Sequence, residues 1–160
     1  MKTSSLAICL ALSVVTALGS AGPVTADEQV PFTGVLDGVA TITPLDPPFV
    51  KVRVEAAGKA TLLGKFDVVI PHVVNRTTFT ARGRYRFTAA NGDELYARFK
   101  GFSMPTDVPD VIAIEESATI VGGTGRFAGA RGSFTAWRLF NRISGETTGY
   151  FEGSISRPND

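Results

Sequence analysis

Apolar and polar residues alternate with a period of two through almost the whole chain beyond its N-terminal stretch. Val50, Val52 and Val54 alternate with Lys51, Arg53 and Glu55, and Phe79, Ala81, Gly83, Tyr85 and Phe87 alternate with Thr80, Arg82, Arg84, Arg86 and Thr88. Further on, Ile112, Ile114, Ala118 and Ile120 share one parity, while Gly132, Phe134, Ala136 and Phe140 share another. Successive side chains of a strand point to opposite faces, so this is the pattern of strands with one face buried. No window of helical length carries a sustained 3.6-residue repeat. Eight strands are predicted, near residues 32–42, 49–57, 62–71, 77–89, 94–103, 111–121, 131–140 and 146–156. Pro44, Pro47, Pro48, Pro71, Pro105 and Pro109 fall between them or at their ends, where a missing N–H breaks no ladder. The chain therefore reads as all-β. Eight antiparallel strands in one domain can close into a barrel, which leaves no edge open to another chain; a β-sandwich is the alternative.

One hairpin can be registered on paper. A three-residue loop Ala90-Asn91-Gly92, with the glycine in the left-handed conformation, sets Ala89 against Asp93. The ladder then pairs Phe87 with Leu95, Tyr85 with Ala97 and Gly83 with Phe99, and the apolar faces match. A slip of one residue would set Phe99 against Arg84 and invert the burial.

Between the sixth and seventh strands runs Ala118-Thr119-Ile120-Val121-Gly122-Gly123-Thr124-Gly125-Arg126-Phe127-Ala128-Gly129-Ala130-Arg131-Gly132. Within it, Gly123-Thr124-Gly125-Arg126-Phe127-Ala128 matches a dinucleotide-binding fingerprint, with Glu146 near the distance of a ribose-binding acid. A phosphate site of that kind needs a helix N-terminus, and the residues that follow, Gly132-Ser133-Phe134-Thr135-Ala136-Trp137, read as a strand. Gly122, Gly123, Gly125, Phe127 and Gly129 are accordingly assigned to a structural turn.

This segment resembles the glycine-rich signature of the allene oxide cyclase and dirigent barrel superfamily. Gly58-Lys59-Ala60-Thr61-Leu62-Leu63-Gly64-Lys65-Phe66, Thr88-Ala89-Ala90-Asn91-Gly92-Asp93 and Gly149-Tyr150-Phe151-Glu152-Gly153 are similar to the secreted bacterial members with this barrel. The resemblance implies an eight-stranded antiparallel barrel, often oligomeric, with a cavity at one end. Its named members do different chemistry on one scaffold: ring closure of an unsaturated fatty-acid epoxide, or steering of phenolic radical coupling. No catalytic set is carried over from it.

Lys2, the apolar run Leu6 to Leu18 and the small-x-small sequence Val24-Thr25-Ala26 form a secretory signal cleaved near Ala26, which makes residues 27–160 the mature, extracellular domain. Cys9, the only cysteine, lies within that signal, so the mature domain has no disulfide, thiol nucleophile or thiolate metal site. Lys2 is also the only charge in the signal, and what remains of the 16 basic residues balances the 15 acidic ones. A balanced domain offers no general electrostatic case for nucleic acid, and no second apolar stretch is long enough to span a membrane.

Glu116 shares parity with Ile112, Ile114, Ala118 and Ile120. It reads either as a buried general acid or base, or as a rim carboxylate paired with an arginine. Arg138 shares parity with Phe134 and Phe140 and could meet Glu116 inside the barrel. Tyr85, Phe99, Glu116, Phe134 and Arg138 are the candidate ligand-binding residues, and Glu116 is the candidate catalytic one. His72 is the single histidine, and without a second one or a cysteine no metal site is expected. No cofactor is expected either. Gly83, Ala97, Gly101, Ala118, Ala136, Gly149 and Gly153 on the inward parity point to free interior space, and close strand coiling at a barrel corner explains the glycines equally well.

Three functions fit these features. The first is a non-catalytic binder of a small apolar or amphipathic molecule, either monomeric or as a homo-oligomer. The second is a cofactor-independent cyclase or isomerase acting on an oxygenated lipid or isoprenoid. The third is a surface-interaction protein with a solid barrel.

Overall fold

The structure, a computed structural model, describes residues 28–156. Eight strands follow in chain order: β1 (Gln29–Pro44), β2 (Phe49–Ala60), β3 (Gly64–Asn75), β4 (Thr80–Ala89), β5 (Glu94–Pro105), β6 (Val111–Gly123), β7 (Gly132–Asn141) and β8 (Glu146–Ser156). Each pairs antiparallel with the next and β8 returns to β1, so the sheet closes into a barrel and the sandwich alternative falls away. The expected export signal, with Cys9, lies outside the described residues.

The β4–β5 ladder has the register expected from its turn, with Phe87 opposite Leu95, Tyr85 opposite Ala97 and Gly83 opposite Phe99. Gly92 takes φ 89° and the Ala89 N–H donates to the Asp93 carbonyl at 2.9 Å. Pro71 departs from expectation, because it lies inside β3 and not at its end. It is tolerated there because the ladder to β4 is interrupted between Val69–Arg86 and His72–Gly83, where no N–H is required of it.

The expectation that small inward residues leave free space is overturned. Gly34 opposes Phe151, Gly58 opposes Phe66, Gly83 opposes Phe99, Gly101 opposes Glu116, Gly149 opposes Arg138 and Gly153 opposes Phe134. In each pair the large side chain leans over the bare glycine. A Cβ on Gly101 would stand 2.7 Å from Glu116 Cγ, one on Gly149 2.6 Å from Arg138 Cγ, and one on Gly83 2.8 Å from a Phe99 ring carbon. The glycines are sockets that let an eight-stranded ring hold side chains too large for an evenly filled interior.

The two ends of the barrel differ. At one end, the connection from β6 to β7 makes a single 3-10 turn, Gly125–Phe127, that carries Phe127 into the core as a stopper. Gly125 has φ 53°, and the Arg126 guanidinium lies 4.9 Å over the Phe127 ring and 3.6 Å from Asp93. Beneath this plug Phe32, Phe87, Phe134 and Phe151 pack ring on ring, with Phe32 and Phe151 centroids 5.0 Å apart and Phe134 and Phe151 5.3 Å apart. At the other end lie four short connections, 45–48, 76–79, 106–110 and 142–145, none of whose residues is buried.

Candidate functional site

The buried polar groups of the barrel meet in its uncapped half. β6 and β7 pair Ile114 with Arg138 and Glu116 with Ala136, so Arg138 stands one inward step from Glu116 on the adjacent strand. The sockets at Gly101 and Gly149 give both side chains room to turn toward each other. Arg138 donates from Nη2 to Glu116 Oε1 at 2.7 Å and from Nε to Oε2 at 3.1 Å, a two-point pair with both side chains 1% exposed. Tyr85 Oη donates to Glu116 Oε2. Arg138 Nη1 donates to Thr147 Oγ1 at 3.2 Å, and the Thr147 hydroxyl donates in turn to the Leu139 carbonyl at 2.9 Å.

Both carboxylate oxygens of Glu116 are therefore engaged, and the pair carries no net charge. Burial, reinforced by the Glu116 charge, raises the Tyr85 hydroxyl well above its ordinary range. Burial works against the Arg138 charge, but Glu116 and Tyr85 outweigh it and hold the guanidinium protonated more firmly than usual. The two sequence readings of Glu116 thus merge: it points inward, and it is paired with an arginine.

His72 lies on the inward face of β3 beside this cluster, its ring 5.6 Å from that of Phe99. Nδ1 is 2.9 Å from the Ile70 carbonyl. A carbonyl only accepts, so Nδ1 holds the proton and Nε2 is left as a bare acceptor with no partner among the described residues. Burial is the largest influence on this imidazole and lowers its pKa.

Of the residues singled out in the sequence, Tyr85, Glu116 and Arg138 form one hydrogen-bonded group, and Phe99 stacks between Tyr85 and His72 with centroids 5.2 Å and 5.6 Å away. Phe134 belongs to the aromatic stack of the capped half, 5.6 Å from Phe32. Thr147 and His72 were not singled out for this site. His72 is legible from its parity with Val68 and Ile70, once it is not weighed only as a metal ligand. Gly122, Gly125 and Gly129 take positive φ in the turn, whereas Gly123 is required by contact, a Cβ there lying 2.7 Å from that of Phe127.

Residual exposure shows where the interior meets solvent. Phe32, Leu36, Leu95 and Phe127 of the capped half are 0% exposed, while Val50 and Val52 are 7% and His72 and Phe140 8% exposed. The inward-facing Ile42, on the rim, reaches 48%. At this end apolar side chains and one free imidazole acceptor meet solvent, above the buried Glu116–Arg138 pair. A separate groove of about 570 Å³ lies on the outside of the wall, lined by Val35, Met104, Ala113, Trp137, Leu139 and Tyr150. Among the described residues no cluster of His, Cys, Asp and Glu could hold a metal ion, and no helix is long and apolar enough to cross a membrane.

No protein-family model and no curated protein matches the chain. Among solved structures it is similar to the pterocarpan synthase dirigent protein GePTS1, at 16% identity and a TM-score of 0.57, over 91% of this chain and 100% of that one. It is also similar to the pterocarpan synthase dirigent protein PsPTS1, at 12% identity and a TM-score of 0.58, over 83% of this chain and 97% of that one. At such identities the likeness is one of architecture: the chain has the eight-stranded antiparallel barrel of the dirigent and allene oxide cyclase-like fold.

Proposed function

We propose that this chain is a secreted, non-catalytic receptacle for a small amphipathic molecule, received at the uncapped end of the barrel. The observation that carries the proposal is the exposure of inward-facing side chains at the uncapped end, where Ile42 reaches 48% and Val50, Val52, His72 and Phe140 7–8%, whereas Phe127 stops the other end at 0%. An apolar body fits the valine and phenylalanine walls, and a hydroxyl on it fits His72 Nε2, the acceptor left free. Glu116 is given a structural and not a catalytic role in this reading, because both its oxygens are tied to Arg138 and Tyr85 in a buried network. Export fits the N-terminal signal and a core that holds without cysteine.

The test is a titration with 1-naphthol, an apolar ring bearing one hydroxyl, followed by the imidazole resonances of His72. Saturable shifts are expected, together with weaker binding of naphthalene and loss of binding in Val52→Trp, which fills the mouth from the wall. Unchanged naphthol binding in a folded Val52→Trp variant would place any binding site elsewhere.

A further inference from the structure

The charges on the outer wall are sorted by strand. β1 and β8 contain no lysine or arginine, and the wall from β6 round to β1 displays Asp37, Glu115, Glu146 and Glu152. The opposite wall carries exposed Arg82 and Arg84 on β4 and exposed Arg98 and Lys100 on β5. The register sets Arg82 directly against Lys100 and Arg84 directly against Arg98. Directly opposed like charges, about 4.5–5.5 Å apart at Cβ, repel one another.

The surroundings do not relieve this repulsion. On the β6 side the partners of Arg98 and Lys100 are Thr119 and Ser117, and on the β3 side the partner of Arg82 is Val73. Glu115 is only diagonal to Lys100, and Glu152, on β8, belongs to the far wall, so neither balances the quartet. The neighbouring Arg86 shows what relief looks like: it is paired with Glu94. None of the four cations of the quartet makes an ion pair among the described residues.

We propose that the outer wall of β4 and β5 docks a linear anionic polysaccharide on Arg82, Arg84, Arg98 and Lys100. Two rungs of paired cations present closely spaced positive charge along one line, which a chain of carboxylate or sulfate groups matches. Arginine adds two-point hydrogen bonding to such groups. Ser117 and Thr119 border the quartet with hydroxyls for sugar oxygens, and exposed Phe102, opposite Thr80, ends the row with an apolar face for a sugar ring.

A second copy of the chain fits less well. Its acids are dispersed: Glu115 faces Trp137, Glu146 faces Val39, Asp37 faces Thr148 and Glu152 faces Thr33, so no two of them meet a clustered quartet. Nucleic acid is disfavoured by the balanced charge of the domain, whose acidic half repels a dense polyphosphate. The site lies on the outside of the wall and is independent of the barrel interior.

The test is calorimetric titration of the folded protein with a linear oligogalacturonate, with a neutral maltooligosaccharide of equal length and duplex DNA as controls, at rising salt. Expected are saturable binding of the oligogalacturonate alone, an affinity that falls with salt, and a loss of about tenfold or more in Arg84→Gln/Arg98→Gln, with a shallower salt dependence. Lys59→Gln/Lys65→Gln, which removes another directly opposed pair of the outer wall, leaves the affinity unchanged. No binding, an equal loss in the lysine variant, or equally tight binding of DNA overturns the proposal. So does salt-sensitive self-association that disappears in Arg84→Gln/Arg98→Gln, which would assign the quartet to a contact between copies.

Discussion

Glu116 and Arg138 hold each other in a place where neither charge would stand alone. Removing one partner leaves the other buried and unpaired, which costs roughly 3–5 kcal/mol. Glu116→Gln and Arg138→Met are each expected to lose stability on that scale in urea unfolding, and Glu116→Leu/Arg138→Met to lose less than either. A double variant as damaged as the sum of the singles would mean that the two are not energetically coupled. His72 makes a different demand. Its imidazole is held below its ordinary value of 6.5, mainly by burial. Unfolded chains therefore bind a proton here at a pH where the folded barrel does not. The resulting stability is complete above that ordinary value and declines as pH falls through it toward the folded value. The melting temperature should drop between about pH 7 and about pH 5, and by less in His72→Phe; an identical drop in the variant would clear His72 of the effect.

At the scale of strands, the barrel is built from pairs of unequal size. Gly101 and Gly149 each receive the side chain of a charged partner, so Gly101→Ala and Gly149→Ala should each lower stability by about 1–3 kcal/mol through overpacking. Gly129→Ala is a poor control, because its φ of 77° strains any side chain even though nothing lies near its Cβ. Neutral melting curves for Gly101→Ala and Gly149→Ala would show that the sockets can widen. This pairing is the part of the architecture that the sequence conceals. Except at Gly83, whose partner Phe99 follows from the β4–β5 turn, a glycine on the inward parity shows that a side chain is missing, but not which neighbour leans into its place, because that neighbour comes from another strand. The β4–β5 ladder was legible because Asn91-Gly92 sets its turn. The β6–β7 ladder, which brings Arg138 to Glu116, crosses the connection at 124–131, and its 3-10 turn has no equally local signature. Parity placed both residues inside the barrel; only the register made them a pair. Pro71 was misplaced for a related reason, since tolerance of a proline depends on the ladder beside it.

The whole molecule is a ring before it is a sequence of strands. Gln29 pairs with Ser156 and Val30 with Ile155, so the described chain finishes where it started and every strand has two partners. Only β8 and β1 are neighbours without a connecting loop. The chain's starting point is thus a matter of covalent bookkeeping, and any of the hairpin turns could serve instead. A permuted chain of residues 29–156, joined from Ser156 to Gln29 by a short flexible linker and opened at Ser144, keeps all eight ladders. It should refold to the same far-ultraviolet spectrum with cooperative melting, whereas failure to refold would mean that the native order of synthesis guides closure. The same ring arrangement makes the barrel a candidate scaffold for insertion. A guest domain at 142–145 would stand at the uncapped end, beside His72 and Phe140, while one at 61–63 or 90–93 would stand at the Phe127 end.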